Sequence, residues 1–208
     1  MMNRLEEIFN KQKELMVKYH EIEENSGIVT TTKVPLDLDE QKDQQRVRDF
    51  AWRLTEELAE TIHEVEIQNG EVTEEVKEEI VDCLHFLTEM TIAVGVEPHE
   101  VIETRPYHLD NLQTLFDEGQ RLAMSHESIH ETITSFISKL GMTINTLKNK
   151  AWKQTMKPTD KGVFYTRLEY TWVHFFAIVA SVNLSDGDIY QKYVFKNEKN
   201  KQRQQNNY

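Results

Sequence analysis

Phe50-Ala51-Trp52-Arg53-Leu54-Thr55-Glu56-Glu57-Leu58-Ala59-Glu60-Thr61-Ile62-His63-Glu64-Val65 sets Phe50, Leu54, Leu58, Ile62 and Val65 at steps of four, four, four and three. That is the period of an α-helix with one apolar stripe, here running from about Gln44 to Ile67. Asn69-Gly70 supplies a stop, because both residue types accept the left-handed backbone that ends a helix. Thr73 then offers an N-cap to a second such helix. Its stripe is Val76, Ile80, Leu84, Leu87, Thr91 and Val94, and Gly95 closes it.

Working outward, Leu5, Ile8, Leu15 and Met16 mark a first helix from Asn3 to about Glu24. Residues 25–45 read as a loop around Ser26, Gly27, three threonines and Pro35. Pro98 to Pro106 reads as a short helical turn and connector, followed by amphipathic stretches at about 108–124 and 127–150. Lys157 to Gly162 reads as a loop, residues 163–182 as an apolar helix, and Asn183 to Gly187 as a turn. A last helix carries a polar tail, about 194–208, to Tyr208. No segment alternates as a strand does. The expected fold is an all-α helical bundle, one domain over 1–208, with long helices favoured by only seven glycines and four prolines. Leu84-His85-Phe86-Leu87 and Val173-His174-Phe175-Phe176 echo each other, which leaves a degenerate helical-hairpin repeat open beside chance repetition.

At 38% hydrophobic and 29% charged, the composition fits a globular protein. Cys83 is the only cysteine, so no internal disulfide forms and a reducing cytoplasm is expected. The first residues lack the apolar core of a signal peptide. The longest apolar run, Val173 to Val182, falls short of the roughly 20 residues a membrane span needs. A net charge of -12 argues against nucleic-acid polymers and anionic membranes as partners. Small phosphate substrates stay open, because clustered carboxylates hold divalent cations that accept phosphates.

Two acidic pairs, Glu57 with Glu60 and Glu79 with Asp82, are each three residues apart and so share one side of a helix. Pairs at Glu21/Glu24, Glu71/Glu74, Glu75/Glu78 and Glu100/Glu103 have the same spacing, and a solvated face is the ordinary reading of any one. Position separates the first two: Glu57 and Glu60 flank Leu58, and Asp82 lies between Val81 and Leu84, beside the core stripe. Packed antiparallel, the two helices bring all four carboxylates together. Such a cluster repels itself unless a cation intervenes. Its oxygen ligands suit Mg²⁺, with Mn²⁺ as the alternative. In the tail, Lys196, Asn200 and Arg203 follow steps of four and three. A continuing helix would align them for a polyphosphate, whereas composition alone reads a frayed terminus.

Glu57-Leu58-Ala59-Glu60, an interval of 18 residues, and Glu79-Ile80-Val81-Asp82-Cys83-Leu84-His85-Phe86 resemble the all-α NTP pyrophosphatase superfamily. That superfamily includes MazG-like proteins, dimeric dUTPases and phage dCTPase-dUTPases. The ending is similar to the C-terminal motif of the last two: Lys196, Asn197, Asn200, Arg203, Gln204 and Tyr208 match it, with Asn207 in place of its glycine. Phe9 to Leu15 resembles the family's first helix, where a glutamine, here Gln12, faces the base. The chain departs from the pattern between the acidic motifs, where relatives carry a Trp-Lys-rich segment. Here Lys150-Ala151-Trp152-Lys153 follows them instead, and Trp152 reads equally as core or as a base platform. His85 reads as a structural helix residue.

The resemblance implies a helical homodimer that hydrolyses dUTP to dUMP and pyrophosphate, nucleotide-pool chemistry that suits a phage-encoded protein in a host cytoplasm. Glu57, Glu60, Glu79 and Asp82 would hold Mg²⁺, with Glu60 or Glu57 also taking a proton from the attacking water. Lys196, Asn200, Arg203 and Tyr208 would close over the phosphates, and Gln12 and Asn197 would meet the base. A dCTPase, a dCTP/dUTP pyrophosphatase and a house-cleaning MazG-like enzyme are alternatives. From a different class, a non-enzymatic helical adaptor or inhibitor would use the same acidic faces for partner helices.

Overall fold

The computed structural model describes residues 3–29, 31–104, 108 and 110–205. Among these residues there are eight helices and no strand: α1 Arg4–Ser26, α2 Gln41–Ile67, α3 Glu74–Ala93, α4 Pro98–Val101, α5 Asn111–Ala123, α6 Ile129–Ile144, α7 Lys161–Ser181 and α8 Asp186–Gln205.

The stripe read from the sequence is the buried face of α2, where Phe50, Leu54, Leu58 and Val65 are at most 2% exposed. It packs on α3, whose Val76, Ile80, Leu84 and Leu87 are fully buried. Each helix closes on a left-handed residue, Asn69 and Gly70 after α2 and Gly95 after α3. After α3 the Val96 N–H reaches back to the Thr91 carbonyl at 3.2 Å and the Gly95 N–H to that of Ile92 at 2.9 Å. After α7, Leu184 and Asn183 make the same pair of bonds to Val179 and Ala180. The echo between α3 and α7 therefore extends to their ends. Yet α2 closes in the same way, with Gly70 bonded to Val65 and Asn69 to Glu66, so this is a common helix stop rather than a mark of duplication.

α7 lies between α5 and α6, and from Thr171 to Val179 it is apolar and buried nearly all round because both flanks are covered. Trp172, Phe175 and Phe176 are fully buried there, and the Trp172 indole N–H donates to Thr91 Oγ1 at 3.0 Å, tying α7 to α3. α5 approaches α7 at Gly119, where a Cβ would lie 2.7 Å from the Ala177 nitrogen.

Several boundaries differ from those expected. α6 stops at Ile144, and residues up to 150 form a turn held by the Asn149 side chain. Its amide donates to the Asp39 and Lys157 carbonyls at 2.8 and 3.0 Å. α7 begins at Lys161, because the Asp160 carboxylate caps the Val163 N–H at 3.0 Å. Thr73 precedes α3 without a side-chain cap, and the 98–106 connector is helical only over Pro98–Val101, with residues 105–106 outside the described set. The polar tail is helix as far as Gln205. Ile189, Tyr193 and Asn197, at steps of four, bury one face of α8, and Lys201 pairs with Glu14 of α1 at 2.6 Å. Trp152 is not core: it is 76% exposed, with the Lys150 ammonium 5.3 Å from its ring centre.

Candidate active site

The short 68–73 connection folds α3 back along α2, so side chains beside the two apolar stripes face each other. One carboxylate oxygen from each of Glu57, Glu79 and Asp82 lies within 4.8 Å of the others. Glu60, one turn on from Glu57, is exposed and outside this close group, although its charge bears on both Glu57 and Glu79. Burial first, then Asp82, Glu60 and Glu79, pushes the Glu57 carboxyl up to about 8. Burial and the Asp82 and Glu60 charges raise Glu79 as well. Asp82 is raised by burial and drawn back by Lys196. Without a cation such a cluster keeps a proton; a hard divalent ion would replace it. Three convergent carboxylates with free lone pairs fit Mg²⁺ or Mn²⁺.

α8 brings a cation to this face. The Lys196 ammonium is 2.7 Å from Asp82 Oδ2 and 4.0 Å from Glu78 Oε2. One and two turns further on, Asn200 and Arg203 line the same cavity of about 350 Å³ as Glu57, Asp82 and Lys196. The alignment expected from the steps of four and three is thus present as one wall.

A further part of the lining comes from α1. Gln12, only 1% exposed, accepts the Tyr193 hydroxyl at 2.7 Å through Oε1, which also lies 2.9 Å from His85 Nδ1. His85 stacks on Tyr193 with ring centres 4.2 Å apart, and burial lowers its pKa to about 3, so the ring is neutral. With Nδ1–H donating to Gln12, Nε2 is an acceptor, and it has no partner among the described residues. His85 thus holds Gln12 in place and also lines the cavity.

Asn197 stands apart from that lining. It is fully buried, and its amide donates to the Lys11 carbonyl at 3.3 Å, fastening α8 to α1. Tyr208 lies outside the described residues. Four lining residues went unread in the sequence: Arg53, Tyr19, Glu23 and Glu89. Arg53 precedes Glu57 by one turn on the same side of α2, a local signal that was there to find. It pairs with Glu23 at 3.1 Å, while Arg46 takes the other Glu23 oxygen at 2.5 Å.

A family model described as dUTPase matches residues 4–208. No curated protein and no solved structure matches the chain. No helix of the described residues is long and apolar enough to cross a membrane. An all-helical frame, a carboxylate triad facing a lysine and an arginine, and a match over nearly the whole length converge: the chain belongs to the dUTPase family of the all-α dUTPase/dCTPase type, nucleoside triphosphate pyrophosphohydrolases.

Proposed function

We propose that the protein hydrolyses dUTP to dUMP and pyrophosphate in a Mg²⁺-dependent reaction. The observation that carries this reading is the convergence of Glu57, Glu79 and Asp82, two of which, Glu57 and Asp82, line one cavity with Lys196, Asn200 and Arg203. With a divalent ion held by the carboxylates, such a site would meet a polyphosphate both through the ion and through the cationic donors.

Bound at the triad, Mg²⁺ would polarise a phosphoryl group and lower the pKa of water. Glu60, outside the close group and near Glu57, orients the attacking water and accepts its proton. Lys196 exchanges Asp82 for a phosphate oxygen, and Arg203 and Asn200 donate to the phosphates as negative charge builds on the departing pyrophosphate. Tyr208, by resemblance, closes the site. The Gln12 amide, held by Tyr193 and His85, faces the base. We infer a homodimer from the same resemblance.

Pyrophosphate release from each dNTP with Mg²⁺ tests the proposal. dUTP is expected to turn over fastest, and Glu79→Ala should abolish release while circular dichroism keeps its helical signal. No turnover of any nucleotide, with no effect of Mg²⁺ on stability, would hand the lead to the adaptor reading.

A further inference from the structure

We propose that Glu89 reads the pairing edge of the pyrimidine, and so admits cytosine as well as uracil to this site. The inference rests on the pyrophosphatase reading above.

Glu89 lies on α3 seven residues beyond Asp82, two turns along the same face and about 10 Å down the axis. That separation matches the reach from phosphate to base in a nucleotide whose phosphates sit at Asp82 and Lys196. Its side chain lines the cavity with Gln12, His85 and Phe86. It is 3% exposed, and Oε1 has no hydrogen-bond partner among the described residues. A buried carboxyl oxygen left without a partner is costly in a folded protein, and a ligand that supplies the partner removes the penalty.

The neighbours do not neutralise it. From α2, Arg46 and Arg53 face it, but both close on Glu23 of α1, which itself opposes a charge at Glu89. Tyr19 of α1 and Tyr193 of α8 feel its charge and carry none of their own. His85, on its own helix, is neutral. Burial accordingly lifts Glu89 to about 7, against the weaker pull of the two arginines.

A protonated carboxyl offers O–H and C=O side by side. Against uracil, the C=O accepts N3–H and the O–H donates to O4. Against cytosine, the O–H donates to N3 and the C=O accepts from the N4 amino group. Either oxygen can carry the proton, so one side chain makes two hydrogen bonds to either base. An ionised carboxylate only accepts, and keeps one bond while setting its second oxygen against a lone pair.

KM and kcat for dUTP and dCTP, measured in the whole enzyme with Mg²⁺ across pH 6–8.5, test this. The wild type should turn over both. Glu89→Leu should raise KM for both by about 10- to 100-fold, the loss of two hydrogen bonds, with kcat nearly kept. In Glu89→Gln the amide offers the same donor–acceptor pair and flips between bases. KM should therefore stay near wild type below pH 7, and the wild-type rise in KM above that pH should vanish. A Leu variant with wild-type KM overturns the inference, as does a Gln variant as impaired as Leu, which would make Glu89 a charge serving the arginines. Should the Leu variant not fold, the pH profile of the Gln variant decides alone. Wild-type turnover of dUTP separates the two readings: without it the proposed function falls and takes this inference with it, whereas turnover with an unmoved Leu KM sinks this inference only.

Discussion

The Lys196 ammonium lies 2.7 Å from Asp82 Oδ2, and both side chains are largely shielded, 15% and 21% exposed. The contact joins the last long helix to the acidic face of α3, and it is the strongest influence holding Asp82 towards its charged form against burial. In the proposed site this contact offsets part of the acidic charge of the cluster before substrate arrives. Lys196→Met should lower kcat/KM for pyrophosphate release by about 10²-fold, the typical loss of one donor to developing charge. The denaturation midpoint should fall as well, because a largely shielded Asp82 is left without its cationic partner, so turnover is compared per folded molecule. Unchanged kinetics would place the polyphosphate elsewhere.

Removing metal should expose the strain among the carboxylates. Glu57, ordinarily at 4.5, is pushed up to about 8 in the fold, and Glu79 and Asp82 shift the same way. Between those values the folded state keeps a proton that the unfolded chain has lost, so stability declines as pH rises through the window. His20, His85 and His174 are shifted down by burial and act in the opposite sense, but only below their ordinary 6.5. In EDTA the melting temperature should therefore fall from pH 6.5 to 8. Excess Mg²⁺ should offset the fall, with a larger gain at pH 8 than at 6.5. A flat profile with no response to Mg²⁺ would sink the metal assignment.

The crossing of α5 and α7 depends on one missing methyl group. A Cβ on Gly119 would meet the backbone of Phe176 and lie 2.6 Å from its Cβ. Backbone cannot rotate away as a side-chain tip can. Gly119→Ala should destabilise by roughly 1–3 kcal/mol in urea titration, the usual range for overpacking. Turnover per folded molecule should persist, since Gly119 does not line the cavity. A variant as stable as the parent would mean that the two helices slide apart freely.

How much of this could be read beforehand follows from where each signal resides. The α2 and α3 stripes were legible because their burial repeats with the helix period, as Phe50, Leu54 and Leu58 do. The acidic pairs were legible as candidates and no more. Glu75/Glu78 has the same spacing, and only the antiparallel packing of α2 on α3 draws Glu57 to Glu79 and Asp82. Composition alone reads the tail as frayed because what fastens it comes from far up the chain, Glu14 to Lys201 and the Lys11 carbonyl to Asn197. The steps of four and three at Lys196, Asn200 and Arg203 point to the helix. Glu89 had no local mark at all. A single glutamate in Leu87-Thr88-Glu89-Met90 becomes notable only when Gln12 and His85 close around it.

Where the tail is cut should decide whether activity or fold is lost. Deleting residues 196–208 removes Lys196 and the substrate wall, but also Asn197, which is fully buried against α1, and Lys201 with its 2.6 Å pair to Glu14. That truncation should lose turnover and stability together. A cut that removes only 200–208 keeps Asn197 and the Lys196–Asp82 contact while taking Asn200 and Arg203 from the cavity. The pair from Lys201 is also lost, but its Glu14 partner is 67% exposed, so the melting temperature should drop by no more than about 4 °C. Pyrophosphate release should still fall by about 10²-fold or more, since two donors to the phosphates are missing. Comparing the two truncations by thermal melts and initial rates separates clamping from packing. If the shorter deletion left kcat and KM intact, Asn200 and Arg203 would have no part in holding the phosphates, and α8 would serve the fold alone.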